Sequence, residues 1–231
     1  MKCRQVIWLP MAITALFVII SCDNGTTENY LTNGKHQWCE WTVIVLPTQS
    51  TPGEEERICI KCYVKEKRIL YIIGNTGPGG GIIFYDKGYY SDGWRYLEGG
   101  RDIFYDIKWA SEAHYITNII GTGKGVGTGK ENTNKILSID ANAPAALTAR
   151  NYRVTGFENI TDWFLPSMYE LVELYRQRYY FNVTIGWFGW FWSSSQGEYD
   201  GIDAWIKDFS NGYEDDYWKD SEGLVIAIRS F

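Results

Sequence analysis

The hydrophobic pattern along this chain changes character three times, and each change marks a boundary. After a basic start at Lys2 and Arg4, the stretch from Ile7 to Ile20 is almost wholly apolar and closes on Ile19-Ile20-Ser21-Cys22. It falls short of the ~20 residues that a membrane-spanning helix needs, and Pro10 interrupts it. Residues 1–21 read as a signal peptide ending in a lipobox. Ser21 is small enough to admit a signal peptidase, and the Cys22 thiol is the expected lipidation site. Residues 22–35 are polar, with Asn, Gly and Thr dominating, and read as a flexible tether. The expected product is a lipid-anchored membrane protein of the cell envelope, with the outer membrane or cell surface favoured over the inner membrane.

Residues 36–70 form the next regime. His36 to Val45 reads as a strand, a Pro-, Ser- and Gly-containing turn region follows, and Glu56 to Cys62 reads as a second strand. The pattern changes again at Ile72-Ile73-Gly74, opening a larger domain over residues 71–231. There Gly77 to Gly81 predicts a tight turn region, Ile82 to Asp86 a strand, and Trp94 to Glu98 its returning partner. Helices are expected around Asn132 to Ile139 and Asn142 to Tyr152, the second with a small face of Ala145, Ala146 and Ala149. Ser167 and Glu170 form a capping box, and Leu171, Leu174 and Tyr175 line one face of the helix it starts. From Trp187 onward the pattern is short strands: Phe191 to Ser195, Ala204 to Phe209, a turn at Asn211-Gly212, and a buried-looking Leu224 to Arg229. Helices early and strands late predict an α+β domain preceded by a small β-ribbon-like module.

Charge narrows the function classes. The formal net charge is −6, and removing the two basic residues of the leader takes it to −8. An acidic chain with no lysine or arginine run argues against nucleic acid as a partner. Aromatic residues make up 16% of the chain, with 11 Trp and 17 Tyr, more than a core of this size requires. Their apolar faces and polar tips suit binding surfaces, sugar rings in particular, although most belong to an aromatic-rich β core. The segment from Trp187 to Trp218 interleaves Trp187, Phe188, Trp190, Tyr199, Tyr213, Tyr217 and Trp218 with Gly, Ser, Asn and Asp. Rigid aromatic anchors among small polar neighbours are the composition of an adaptable binding surface.

With Cys3 in the leader and Cys22 lipidated, Cys39, Cys59 and Cys62 remain. His36-x2-Cys39 and Cys59-x2-Cys62 have the ligand types and paired spacing of a closed, structural zinc site. A Cys59–Cys62 disulfide, or a bridge from Cys39 to either, is equally allowed in an oxidising compartment. Acids gather at Asp200, Asp203, Glu214, Asp215, Asp216 and Asp220, but without EF-hand spacing. They read as a solvated turn, and calcium is not expected. The glycine stretch from Gly121 to Thr133 fails as a phosphate loop twice, having Lys124 and Glu131 where the motif needs Gly and Ser or Thr. The only histidines are His36 and His114, and no catalytic signature appears, so no enzyme is expected.

Two resemblances add to this reading. The H-x-W-x-x-W start at His36 and the later R-x-C-x-x-C at Arg57 resemble small repeat modules of bacterial surface proteins; those usually carry a further cysteine where this chain has Gln49. Over residues 77 to 231, the order GPGGGIIFYD, GWRYLE, IGTGK…NT, DWFLPS-x-x-EL, FWSSS, AW…F…G and a closing I-R-S-F resembles the C-terminal domain of the Legionella collagen-like adhesin and its relatives, many found in spirochaetal lipoproteins. The resemblance implies a C-type-lectin-like fold, with chain termini paired as adjacent strands and irregular loops forming a binding face. Ile82 to Tyr85 would then pair near Val225 to Arg229. The family's closing stretch usually has two arginines; Ala227 leaves this chain with Arg229 alone. The implied role is adhesin-like binding of an extracellular glycan or protein, although a charge of −8 opposes the sulfated glycosaminoglycans that the named adhesin binds. The competing role is structural, as an assembly component contacting another envelope protein.

Overall fold

The structure is a computed structural model that describes residues 36–181, 189–197 and 201–231. The leader, Cys22 and the tether lie outside the described residues. The chain divides into two compact units, with the boundary between Leu70 and Tyr71. Among the described residues no helix is long and apolar enough to cross a membrane.

The smaller unit is one antiparallel sheet in the order β1 (Thr42–Val45), β2 (Gly53–Ile58), β3 (Lys65–Leu70). The sequence GEEERI faces KEKRIL, so acids lie across from bases. Glu55 pairs with Arg68 at 2.5 Å and Arg57 with Glu66 at 2.6 Å, each directly opposite in the register. Lys65–Glu56 and Lys67–Glu54 bridge diagonally. The guanidinium of Arg68 lies 4.0 Å from the centre of the Trp41 ring, and that of Arg57 lies 4.6 Å from both Trp38 and Trp41. The two-strand expectation missed β3 because its alternation is carried by ion pairs rather than by apolar residues. The expected second strand also ends early: β2 stops at Ile58, Cys59 makes a single bridge, and Ile60 to Cys62 turns instead.

The larger unit is mixed α and β, as the pattern predicted. Its elements are β4 (Ile82–Ser91), β5 (Trp94–Gly99), β6 (Phe104–Lys108), α1 (Gly129–Ile139), α2 (Pro144–Arg150), α3 (Met168–Arg176), β7 (Trp190–Gln196), β8 (Asp203–Asp208), β9 (Glu214–Trp218), β10 (Glu222–Val225) and β11 (Ile228–Ser230). A three-stranded sheet runs β11-β5-β4, and a five-stranded sheet runs β6-β10-β7-β8-β9. Pro144 sits in the first turn of α2, where its missing N–H costs nothing. The α3 capping box forms as expected: the Ser167 hydroxyl accepts from the Glu170 amide, and Glu170 Oε2 accepts from the Ser167 amide at 2.6 Å.

The closing segment differs from expectation. It is two strands, not one, because the chain switches sheets at Ile226-Ala227. Strand β11 pairs with β5, with Arg229 opposite Glu98, and β4 lies on the far side of β5. Ile82 to Tyr85 therefore do not neighbour the closing strand directly. The reason lies in burial on both sides. Val225 and Ala227 belong to one core with Trp109, Ile136, Trp163 and Trp192, while Leu224, Ile226 and Ile228 belong to a second with Phe84, Leu97, Leu171 and Phe191. Period-two alternation sends successive side chains into opposite cores, so this segment is the partition between them.

A buried carboxylate joins the parts. Glu98, fully buried on β5, accepts at Oε1 from the Gly79 amide at 2.9 Å and at Oε2 from the Gly81 amide at 3.0 Å. Arg229 Nη1 donates to its Oε1 at 2.7 Å, and Arg229 Nε reaches Asp162 Oδ1 at 2.5 Å. A Cβ at Gly79 would stand 2.7 Å from Glu98 Oε1, so only glycine lets the loop close on the carboxylate. Burial pushes the Glu98 pKa up, opposed by Arg229 and by the Gly79 and Gly81 amides.

Two outcomes follow from this pairing. Arg229→Met leaves Glu98 buried without its cation and is expected to cost about 3–5 kcal/mol, read from the shift of the urea midpoint. Because the folded-state pKa of Glu98 lies above the unfolded value, the native state holds that proton more tightly. The part of its contribution linked to that proton is thus full below the ordinary carboxylate range and is lost as pH rises through the folded pKa, while the ionised carboxylate keeps its Arg229 and amide partners. The difference between the pH–stability curves of wild type and Glu98→Gln should fall across that window, and parallel curves would refute the assignment.

Candidate functional site

The first candidate is in the smaller unit. Trp38 and Cys59 face each other as an isolated antiparallel bridge, flanked by hydrogen bonds from the Cys39 amide to Ile58 O at 3.0 Å and from the Ile60 amide to Gln37 O at 2.8 Å. Alternation puts His36, Trp38 and Cys59 on one face of this ribbon and Cys39 on the other. The rings of His36 and Trp38 accordingly meet at 4.9 Å. After Cys59 the chain reverses: the Tyr63 amide bonds Cys59 O at 2.9 Å, and Tyr63 takes a left-handed φ of 59°. The turn brings Cys62 back, with His36 Nδ1 3.2 Å from Cys62 Sγ.

The donor atoms of His36, Cys59 and Cys62 all lie within 4.8 Å of one another, with Cys59 buried and the other two exposed. None of Cys39, Cys59 and Cys62 is in a disulfide. Burial raises the Cys59 thiol pKa, but the backbone amides of Cys62 and Lys61 point at the sulfur, and His36 and Cys62 add to their effect. The net result is a thiol lowered to about 6. Three of the four expected ligands therefore converge. Cys39 does not, because a Cys three residues after His36 falls on the opposite face of an extended strand.

The second candidate is the edge of the five-stranded sheet. Strand β9 is the outer strand, and Tyr213, Tyr217 and Trp218 are 61%, 47% and 64% exposed. Their hairpin is closed by the Gly212 amide bonding Asp208 O at 2.8 Å and the Asp208 amide bonding Tyr213 O at 2.9 Å. Gly212 has a φ of +82°, the conformation the Asn-Gly turn was expected to need. Tyr217 stands opposite Ala204, and its ring meets that of half-buried Trp190 at 4.8 Å. Trp218 stands opposite Asp203 on the other face, its ring 6.5 Å from that of Tyr217. The aromatic residues thus wrap an edge instead of paving one face. Trp187, Phe188 and Tyr199, together with Asp200, lie outside the described residues.

Acids share this edge. Glu214 accepts from Lys207 Nζ at 2.8 Å, and alternation places Glu214, Asp216 and Trp218 on one face and Asp215 with Tyr217 on the other. Trp192 belongs to the core, with its Nε1 donating to Ile107 O at 2.8 Å. Trp205 is half-buried under the Lys124 ammonium, 3.8 Å from the ring centre.

Sequence reasoning missed the polar scaffold behind the edge. Lys219 is fully buried, and its Nζ donates to Thr117 O and Gln196 Oε1 at 2.8 Å each, tying the 117–119 loop to β7. Glu170 is buried and holds the second glycine stretch through the Gly127 amide at 2.8 Å. Ser195 Oγ donates to Gly123 O at 2.8 Å, and Asn132 Nδ2 reaches Ser194 Oγ at 3.2 Å. The FWSSS strand and the glycine stretch are one construction, and glycines spaced against a buried acid were the signal available in the sequence.

No protein-family model matches this chain, and no curated protein matches it.

Burial separates the two kinds of tryptophan experimentally. Trp192→Ala is expected to lower stability by about 3–5 kcal/mol, whereas Trp218→Ala should change it by no more than ~0.5 kcal/mol. Denaturant unfolding of the two variants checks both values.

Proposed function

We propose that this chain is a lipid-anchored cell-envelope protein whose larger unit is C-type-lectin-like and binds an extracellular glycan or protein, in the manner of an adhesin and without catalysis. Lipidation at Cys22 would tether it through residues 22–35. The observation that carries the binding reading is the exposed aromatic edge at β9: Tyr213, Tyr217 and Trp218 present large ring surfaces to solvent while their strand is anchored by a packed sheet. Exposed Tyr and Trp on a rigid support offer apolar contact at little cost in side-chain entropy, with a hydroxyl or N–H for orientation. The smaller unit is proposed to hold a zinc ion at His36, Cys59 and Cys62, a thiolate and imidazole set that suits that metal.

The test is an array of glycans and matrix proteins probed with the purified protein lacking only its leader, with calcium and with a calcium-selective chelator. Binding that ignores the chelator is expected. The triple variant Tyr213→Ala/Tyr217→Ala/Trp218→Ala should lose that binding while Tm shifts by no more than about 2–4 °C. Retained binding in the triple variant would remove the site assignment. A blank array for the wild type would favour the assembly role, contact with another envelope protein.

A further inference from the structure

Resting on the zinc reading of the smaller unit, we infer that its metal site has three protein ligands and an open fourth position facing solvent, with Cys39 excluded from coordination. Strand geometry sets the ligand count. His36, Trp38 and Cys59 share one face because Trp38 and Cys59 are directly opposed, and Cys39, opposite Ile58, points the other way. Bringing Cys39 into the cluster would require a one-residue slip of the ribbon, which would turn Trp38 off its stack on Arg57.

The three donors already sit within coordination reach of a common point, their atoms all within 4.8 Å of one another. The turn from Cys59 to Tyr63 aims the amides of Lys61 and Cys62 at the Cys59 sulfur, and such N–H donors stabilise a thiolate ligand from behind. Two thiolates balance the charge of a divalent ion. Cys59 is buried, but His36 and Cys62 are exposed, so the side of the ion away from Cys59 looks into water. Zinc prefers four donors, and with three supplied by protein the fourth is water or an exchangeable donor. The site therefore differs from a closed structural zinc knuckle in being able to take an outside imidazole, thiolate or carboxylate.

Cobalt(II) replaces zinc in tetrahedral thiolate sites and reports its ligands by absorption. The full mature chain, purified under reduction, is titrated with Co(II) as wild type, Cys39→Ser, Cys62→Ser and His36→Ala. Wild type should bind one ion per chain with thiolate-to-metal charge transfer. Cys39→Ser should keep that band at full strength, whereas Cys62→Ser should reduce it to about half or lose the ion. Adding free imidazole to the wild-type cobalt form should shift its visible bands. Absence of any Co(II) or Zn(II) binding by the reduced wild type would overturn the zinc reading itself. Binding with a weakened band in Cys39→Ser, or bands indifferent to imidazole, would leave zinc in place and overturn the open three-ligand site.

Discussion

The larger unit depends on one buried ion pair. Glu98 and Arg229 face each other across β5 and β11, and the chain from Gly79 to Gly81 folds over the carboxylate to donate its amides. A carboxylate taken out of water is costly unless donors replace the water it loses. Here two backbone amides and a guanidinium do so, and Asp162 receives the second side of that guanidinium. The arrangement ties four distant stretches of chain to one point: the glycine loop, β5, the segment before α3, and the closing strand. A second buried acid, Glu170, does the same for the other glycine stretch and the start of α3.

These two centres explain why the glycines lie where they do. A Cβ at Gly129 would come within 2.2 Å of Glu170 Oε2, and one at Gly77 within 2.4 Å of Glu98 Oε2. Neither stretch is a phosphate cradle; each is a nest of amides filled by the protein's own carboxylate. With its loops held from within, the five-stranded sheet can leave its β9 edge exposed. Aromatic rings on that edge stay exposed because the domain does not need them for its core.

Much of this was legible in the chain. Alternation located β4, β5, β7 and β8, and the Ser167–Glu170 spacing fixed the start of α3, because those signals arise from neighbours in sequence. Helix α1 begins at Gly129, earlier than its apolar pattern shows, since its first turn is held by Glu170. The split of Leu224 to Arg229 into two strands could not be read, because a run buried on both sides has no polar face to betray a change of sheet. Strand β3 was hidden by its charges, whose meaning lies in GEEERI across from it. Of the four residues expected at a metal site, His36, Cys59 and Cys62 converge, as their type and spacing suggested. Cys39 was counted with them because spacing alone carries no face, and only the bridge between Trp38 and Cys59 supplies it. Tyr213, Tyr217 and Trp218 are exposed as a binding surface requires, but their division between two faces of β9 depends on register.

Native-state amide hydrogen exchange at Gly79 and Gly81 tests most directly whether the buried Glu98 centre holds the larger unit together. Both amides sit in a loop outside any strand, so their protection depends on the carboxylate. If the account holds, they exchange as slowly as the central amides of β5 and β7, through global unfolding alone. Exchange as fast as that of the exposed turn at Asp92-Gly93 would show that the loop opens independently, and would contradict the central place given to Glu98 and Arg229.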